Sequence, residues 1–266
     1  MRRLIVLSVA GAETGASLDA ADGAVGVLLV TGGTQTRIGS HRLFERLARS
    51  LAAAGLPCIR FDRRGVGDSG GTDPGWRGSG PEIEAAARAL RESCPSVQRV
   101  IGLGLCDGAS ALCLAAAAAG IDGLVLVNPW LVETEPGALA PAALRHHYRE
   151  RLKSAEGWKR FLFGAVSYRK VLTGVRSLGS APSKALAGEV AAALGGAAIP
   201  FETVLARGDA TAIAAADALA RLPLSQLVRR APATIDTDSH TFARPGDEAK
   251  LLEAVLAAVR RLSGGG

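Results

Sequence analysis

Two rhythms of apolar residues alternate along the first half of this chain. Val25-Gly26-Val27-Leu28-Leu29-Val30 contains no polar side chain, which suits a strand covered on both faces. The turn Thr31-Gly32-Gly33-Thr34-Gln35 follows. Leu43, Phe44, Leu47 and Leu51 then recur at helical spacing up to Gly55, which predicts an amphipathic helix closed by a glycine. The alternation continues with a strand over 57–62, a loop rich in glycine and arginine over 62–70, a helix over 82–91 and a strand over 97–103. An alanine-rich helix over 109–119 and a strand over 124–127, ending at Asn128-Pro129-Trp130, complete this half. From 131 to 198 the pattern turns helical and basic. It carries Tyr148, Trp158, Phe161, Phe163 and Tyr168 together with His146 and His147. A strand over 201–206, a helix over 212–220, a short strand over 233–235 and a closing helix over 247–262 resume the alternation.

Strands alternating with helices predict an α/β fold, a mainly parallel sheet with helices on both faces. The interruption predicts a helical lid, 131–198, inserted into a core formed by 1–130 and 199–266. Such a lid lies over the carboxyl edge of the sheet, where ligands bind in open α/β folds.

Composition narrows the class. At 266 residues, with 48% hydrophobic and 21% charged, the chain has the profile of a globular protein with a sizeable core. Its 31 basic and 25 acidic residues give a net charge of +6, yet no basic block stands out, so nucleic acid is not an expected partner. No apolar run approaches the roughly 20 residues of a membrane span. The opening Met1-Arg2-Arg3-Leu4-Ile5-Val6-Leu7-Ser8-Val9-Ala10 has the basic tip of a signal peptide, but its apolar stretch equally makes an opening strand. The strand reading, preferred here, implies a cytoplasmic protein. Four cysteines, Cys58, Cys94, Cys106 and Cys113, lack metal-like spacing. Cys58, Cys94 and Cys113 read as small core residues of a reducing compartment. Neither a metal nor a cofactor is expected.

Gly104-Leu105-Cys106-Asp107-Gly108 lies between a predicted strand and a predicted helix. A G-x-S-x-G turn in that setting is the nucleophile elbow of the α/β-hydrolase fold, strained so that the nucleophile projects above the sheet. Its flanking glycines are required because a side chain at either place would strike the neighbouring strand or helix. Here Cys106 replaces serine. The elbow also puts Cys106 at a helix N-terminus, where partial positive charge favours a thiolate. The backbone N–H of Asp107 is the expected first oxyanion donor, and the second comes from the turn at Gly33 or Thr34. Of the four histidines, His41, His146, His147 and His240, only His240 follows the last predicted strand, where the order nucleophile–acid–histidine places the base. Asp209, after the strand over 201–206, is the expected acid. It would hold the His240 tautomer and stabilise the imidazolium, and a helix N-cap role there is compatible. Asp236 and Asp238 remain rivals by proximity. Trp130, Arg63 and Arg64 are candidate substrate-pocket residues. The two arginines alternatively pair with Asp62 and Asp68.

Several segments together resemble the exosortase A system-associated hydrolases, type 1, of the α/β-hydrolase superfamily. They are Gly32 through Arg42, Arg60 through Ser69, Gly104 through Ser110, Asn128-Pro129-Trp130 and Ser239-His240-Thr241-Phe242. The chain departs from that family at Thr34, usually proline, and at Thr36, usually aromatic, and its amino-terminal hairpin looks short and degenerate. The resemblance implies a bacterial enzyme linked to exopolysaccharide or protein-sorting loci and leaves the substrate open. The expected chemistry is cleavage of an ester or thioester of a small-molecule acyl substrate through a Cys106 acyl-enzyme. An acyltransferase with the same three residues, or a non-catalytic binding protein on the same fold, are the alternatives. A dehydrogenase is disfavoured because the glycines around Gly102 and Gly104 lack G-x-G-x-x-G spacing.

Overall fold

The computed structural model describes residues 1–133 and 185–264. Among them, eight strands form one sheet: β1 (Arg2–Val9), β2 (Ala12–Asp19), β3 (Val25–Val30), β4 (Cys58–Phe61), β5 (Arg99–Leu105), β6 (Gly123–Val127), β7 (Phe201–Ala206) and β8 (Ala233–Ile235). They lie in the order β1-β2-β4-β3-β5-β6-β7-β8. β2 runs antiparallel to both its neighbours, and every pairing from β4 to β8 is parallel. Among the described residues, six α-helices flank the sheet: α1 (Leu43–Ala53), α2 (Gly80–Ser93), α3 (Asp107–Ala115), α4 (Ala185–Gly196), α5 (Ala210–Leu219) and α6 (Asp247–Leu262). This is the expected α/β-hydrolase architecture. No helix among the described residues is long and apolar enough to cross a membrane.

The central strands explain themselves. Every residue of β4 and β6 is buried, as is all of β5 beyond Arg99, because helices cover both faces of a parallel sheet. Leu51 of α1, Ile83 and Leu90 of α2, Leu112 of α3 and Val255 of α6 have no exposed surface. Cys58, Cys94 and Cys113 are buried within the same core, as the sequence implied.

The amino-terminal hairpin departs from expectation. It is complete, with eight residues in each strand paired from Arg2–Asp19 to Val9–Ala12. Residues 4–9 do form a strand. β2 was not foreseen, because Ala12-Glu13-Thr14-Gly15-Ala16-Ser17-Leu18-Asp19 has weak strand propensity. Its placement between β1 and β4 overrides that propensity by pairing on both edges. Arg2 adds ion pairs with Asp19 at 2.8 Å and with Glu45 of α1 at 2.7 Å.

The helix after β5 begins at Asp107, two residues earlier than its alanine run suggests, so that α3 starts on the elbow itself. Of the segment expected to be a lid, α4 is described. It buries Leu186, Val190, Ala191 and Leu194. Residues 134–184, which include His146, His147, Tyr148, Trp158, Phe161, Phe163 and Tyr168, lie outside the described residues.

The glycines of the elbow let α3 approach the sheet. A Cβ on Gly104 would sit 2.6 Å from Ala109 Cα, and one on Gly108 would sit 2.5 Å from the Thr31 carbonyl oxygen and 2.7 Å from that of Val30. One glycine thus makes room for the helix and the other for β3 and its following turn. Because the obstacle at position 108 is backbone, it cannot rotate away. Gly108→Ala is expected to destabilise the fold by about 2–3 kcal/mol, read as a lower urea midpoint with an unchanged m-value.

Candidate active site

Three loops converge at the carboxyl edge of the sheet. Cys106 occupies the turn from β5 to α3 with φ 58° and ψ −128°, a conformation that costs an L residue about 1–3 kcal/mol. Surrounding bonds hold it there. Its N–H donates to the Val127 carbonyl at 3.0 Å, and its own carbonyl accepts from Trp130 and Ala109 N–H at 3.1 Å each. Ser110 Oγ donates to the Trp130 carbonyl, which ties the loop after β6 to α3. Cys106 is half-buried, whereas the other three cysteines are buried. Burial pushes the Cys113 thiol up to about 12 and that of Cys58 well above its ordinary value.

Asp209 caps α5. Its Oδ2 accepts from the Ala212 N–H at 2.9 Å and lies 3.0 Å from His240 Nδ1. The rivals face elsewhere: Asp236 is exposed, and Asp238 pairs with Arg244 at 2.5 Å. Burial alone would lower the His240 pKa. Hydrogen bonds to Asp209 and Cys106, with the negative charge of both partners, outweigh it and raise the imidazole to about 10. His240 is therefore an imidazolium at neutral pH, held between a carboxylate and a sulfur.

Asn128 is the residue that sequence reasoning passed over. It is fully buried with φ 41°. Its Nδ2 donates to the His240 carbonyl at 2.9 Å, and its Oδ1 accepts from the Ala206 N–H at 2.8 Å. One carboxamide thus ties the end of β6 to the histidine loop and to the strand that leads into Asp209. The only sequence signal was the Asn-Pro-Trp tripeptide. His41 also reaches across the site, its Nε2 lying 2.9 Å from the Thr241 carbonyl oxygen. It braces the histidine loop from the turn before α1.

The turn after β3 packs directly on the elbow. A Cβ on Gly32 would lie 2.9 Å from Cys106 Cβ and 2.8 Å from Asp107 Oδ1. The Gly33 N–H donates to that same Asp107 oxygen at 2.6 Å, while Thr34 is exposed. Arg37 anchors the turn: both its N–H and its guanidinium bind the fully buried Asp62, and the guanidinium also reaches Asp68 at 2.9 Å. Arg63 and Arg64, expected beside substrate, hold carboxylates, but not those of Asp62 and Asp68. Arg63 pairs with Asp73 at 3.1 Å and Arg64 with Glu82 at 2.7 Å. Asp62 is unavailable to them because Arg37 takes it. Trp130 is partly buried next to the elbow. Among the described residues, no group of three or more His, Cys, Asp or Glu side chains is placed to hold a metal ion.

A model of the alpha/beta hydrolase family fits residues 27–259. The chain belongs to the alpha/beta hydrolase family. Solved structures agree on the fold of this alpha/beta hydrolase. The Pyrococcus furiosus esterase Pf2001 is 15% identical over 98% of this chain and 90% of its own, with a TM-score of 0.64. A serine hydrolase without a lid from Xanthomonas campestris is 17% identical over 98% and 94%, with a TM-score of 0.61. A thioesterase domain from the curacin biosynthetic pathway is 15% identical over 96% and 99%, with a TM-score of 0.57. No curated protein sequence matches the chain.

Proposed function

We propose that this alpha/beta hydrolase cleaves an ester or thioester of a small acyl substrate through a Cys106–His240–Asp209 triad. The observation that carries the reading is the position of His240, hydrogen-bonded to Asp209 on one side and to Cys106 on the other, with its pKa raised to about 10. His240 already holds the thiol proton at neutral pH, and the sulfur attacks the acyl carbonyl to form a C–S bond. The leaving alcohol or thiol departs with the proton from His240. A water molecule, deprotonated by His240, then attacks the thioester. The C–S bond breaks, the acid is released, and the proton taken from water stays on His240. The Asp107 N–H and an N–H from the turn at Gly33 or Thr34 receive the oxyanion.

The segments that resemble the exosortase A system-associated hydrolases include the elbow, the turn packed on it, Asn128 to Trp130 and the histidine loop, which supports that narrower kinship and the bacterial origin that goes with it. Trp130, beside the elbow, lines the acyl pocket. Incubation with p-nitrophenyl esters and acyl-thioesters, followed by intact-mass spectrometry, tests the reading. An acyl adduct is expected on the wild type and none on Cys106→Ala. Cys106→Ala retaining full turnover would sink the assignment. An adduct discharged to added amines or alcohols in preference to water would make the protein an acyltransferase.

A further inference from the structure

We propose that Asp107 is the resting occupant of the oxyanion hole, and that catalysis requires its carboxylate to leave the Gly33 N–H. This inference rests on the acyl-transfer reading above. In that reading the hole needs two backbone donors, one directly after the nucleophile and one from the turn after β3. The Gly33 N–H has one proton to donate, and it goes to Asp107 Oδ1 over 2.6 Å. The same oxygen would lie 2.8 Å from a Cβ on Gly32, and that Cβ would lie 2.9 Å from Cys106 Cβ. The carboxylate is therefore wedged between the turn and the nucleophile, and its oxygen stands where the charged oxygen of a tetrahedral intermediate would take the Gly33 N–H.

Two penalties follow while the carboxylate stays. The developing oxyanion lacks one of its donors, and it faces a like charge. Any ligand that builds an oxyanion on Cys106 must bind the fraction of molecules in which the hole is open, so its apparent affinity is reduced by that fraction. Opening needs only rotation of the Asp107 side chain. No bond breaks, and the substrate oxygen inherits the hydrogen bond.

The test uses the full chain as wild type, Asp107→Ala and Asp107→Asn, with two probes. An alkyl trifluoromethyl ketone adds the Cys106 sulfur reversibly and creates an oxyanion. Iodoacetamide alkylates the same sulfur with loss of iodide and creates none. Dividing ketone affinity by alkylation rate removes any change in the sulfur itself. Asp107→Ala is expected to raise this ratio by about tenfold or more. Asp107→Asn, which keeps an acceptor but no charge, is expected to fall between, and it carries the test if the alanine variant does not fold. A ratio that stays level or drops in the folded variants would show that the carboxylate supports the hole, overturning the proposal. A wild-type Cys106 that alkylates no faster than buried Cys58 would instead overturn the triad reading, and this inference with it.

Discussion

His240→Ala is expected to slow acylation of Cys106 by about 10³-fold near neutral pH, measured as the p-nitrophenolate burst. The histidine is the group through which a proton reaches or leaves the sulfur, and His41, the other described histidine, is engaged with Thr241. Loss of less than threefold would remove His240 from the mechanism. The same residue predicts a stability signature. Burial opposes its charge, but Asp209 and Cys106 raise its folded-state pKa from 6.5 to about 10. Its contribution to stability is then fully present below pH 6.5, declines as pH rises, and is lost above about 10. The gap in melting temperature between wild type and His240→Ala should close across that window.

Asp209→Asn is expected to reduce kcat/KM by about 10³- to 10⁴-fold, the loss seen when a triad carboxylate becomes an amide and the imidazole tautomer is no longer fixed. Above about pH 10, where the His240 charge is lost, stability should barely change, because asparagine caps a helix as well as aspartate does, and the bond from the Ala212 N–H survives. The catalytic and structural roles of the residue thereby separate. The pH profile offers a second readout. Although burial works to lower the His240 pKa, the hydrogen bond and charge of Asp209 are among the causes that raise it to about 10. The alkaline limit of kcat/KM should lie near that value in the wild type and move toward 6.5 in the variant. An unchanged limit would mean that Asp209 does not act through His240.

Most of the sheet was legible because its buried strands are written as unbroken apolar runs and its helices as four-residue recurrences. Val25–Val30 and Asp247–Leu262 match their expected bounds for that reason. β2 was not legible, since a strand secured by partners on both edges needs no apolar pattern of its own. The elbow and the loops bearing Asp209 and His240 could be placed by chain order alone. What the sequence concealed were bonds between loops distant in sequence. Asn128 joins the loops of His240 and Ala206, and Arg37 draws Asp62 away from Arg63 and Arg64. Such pairings depend on which loop tips meet in space, and a polar residue in a glycine-rich loop advertises many partners equally well. The Asp107–Gly33 bond belongs to the same class.

The backbone at Cys106 sets a cost that the rest of the fold has to meet. Its φ of 58° and ψ of −128° suit glycine, not a residue with a side chain. Folding alone would therefore welcome a glycine at this place. The cysteine is held there because the bonds to Val127, Trp130 and Ala109 outweigh that preference, so part of the stability of the sheet goes into presenting one side chain above its edge.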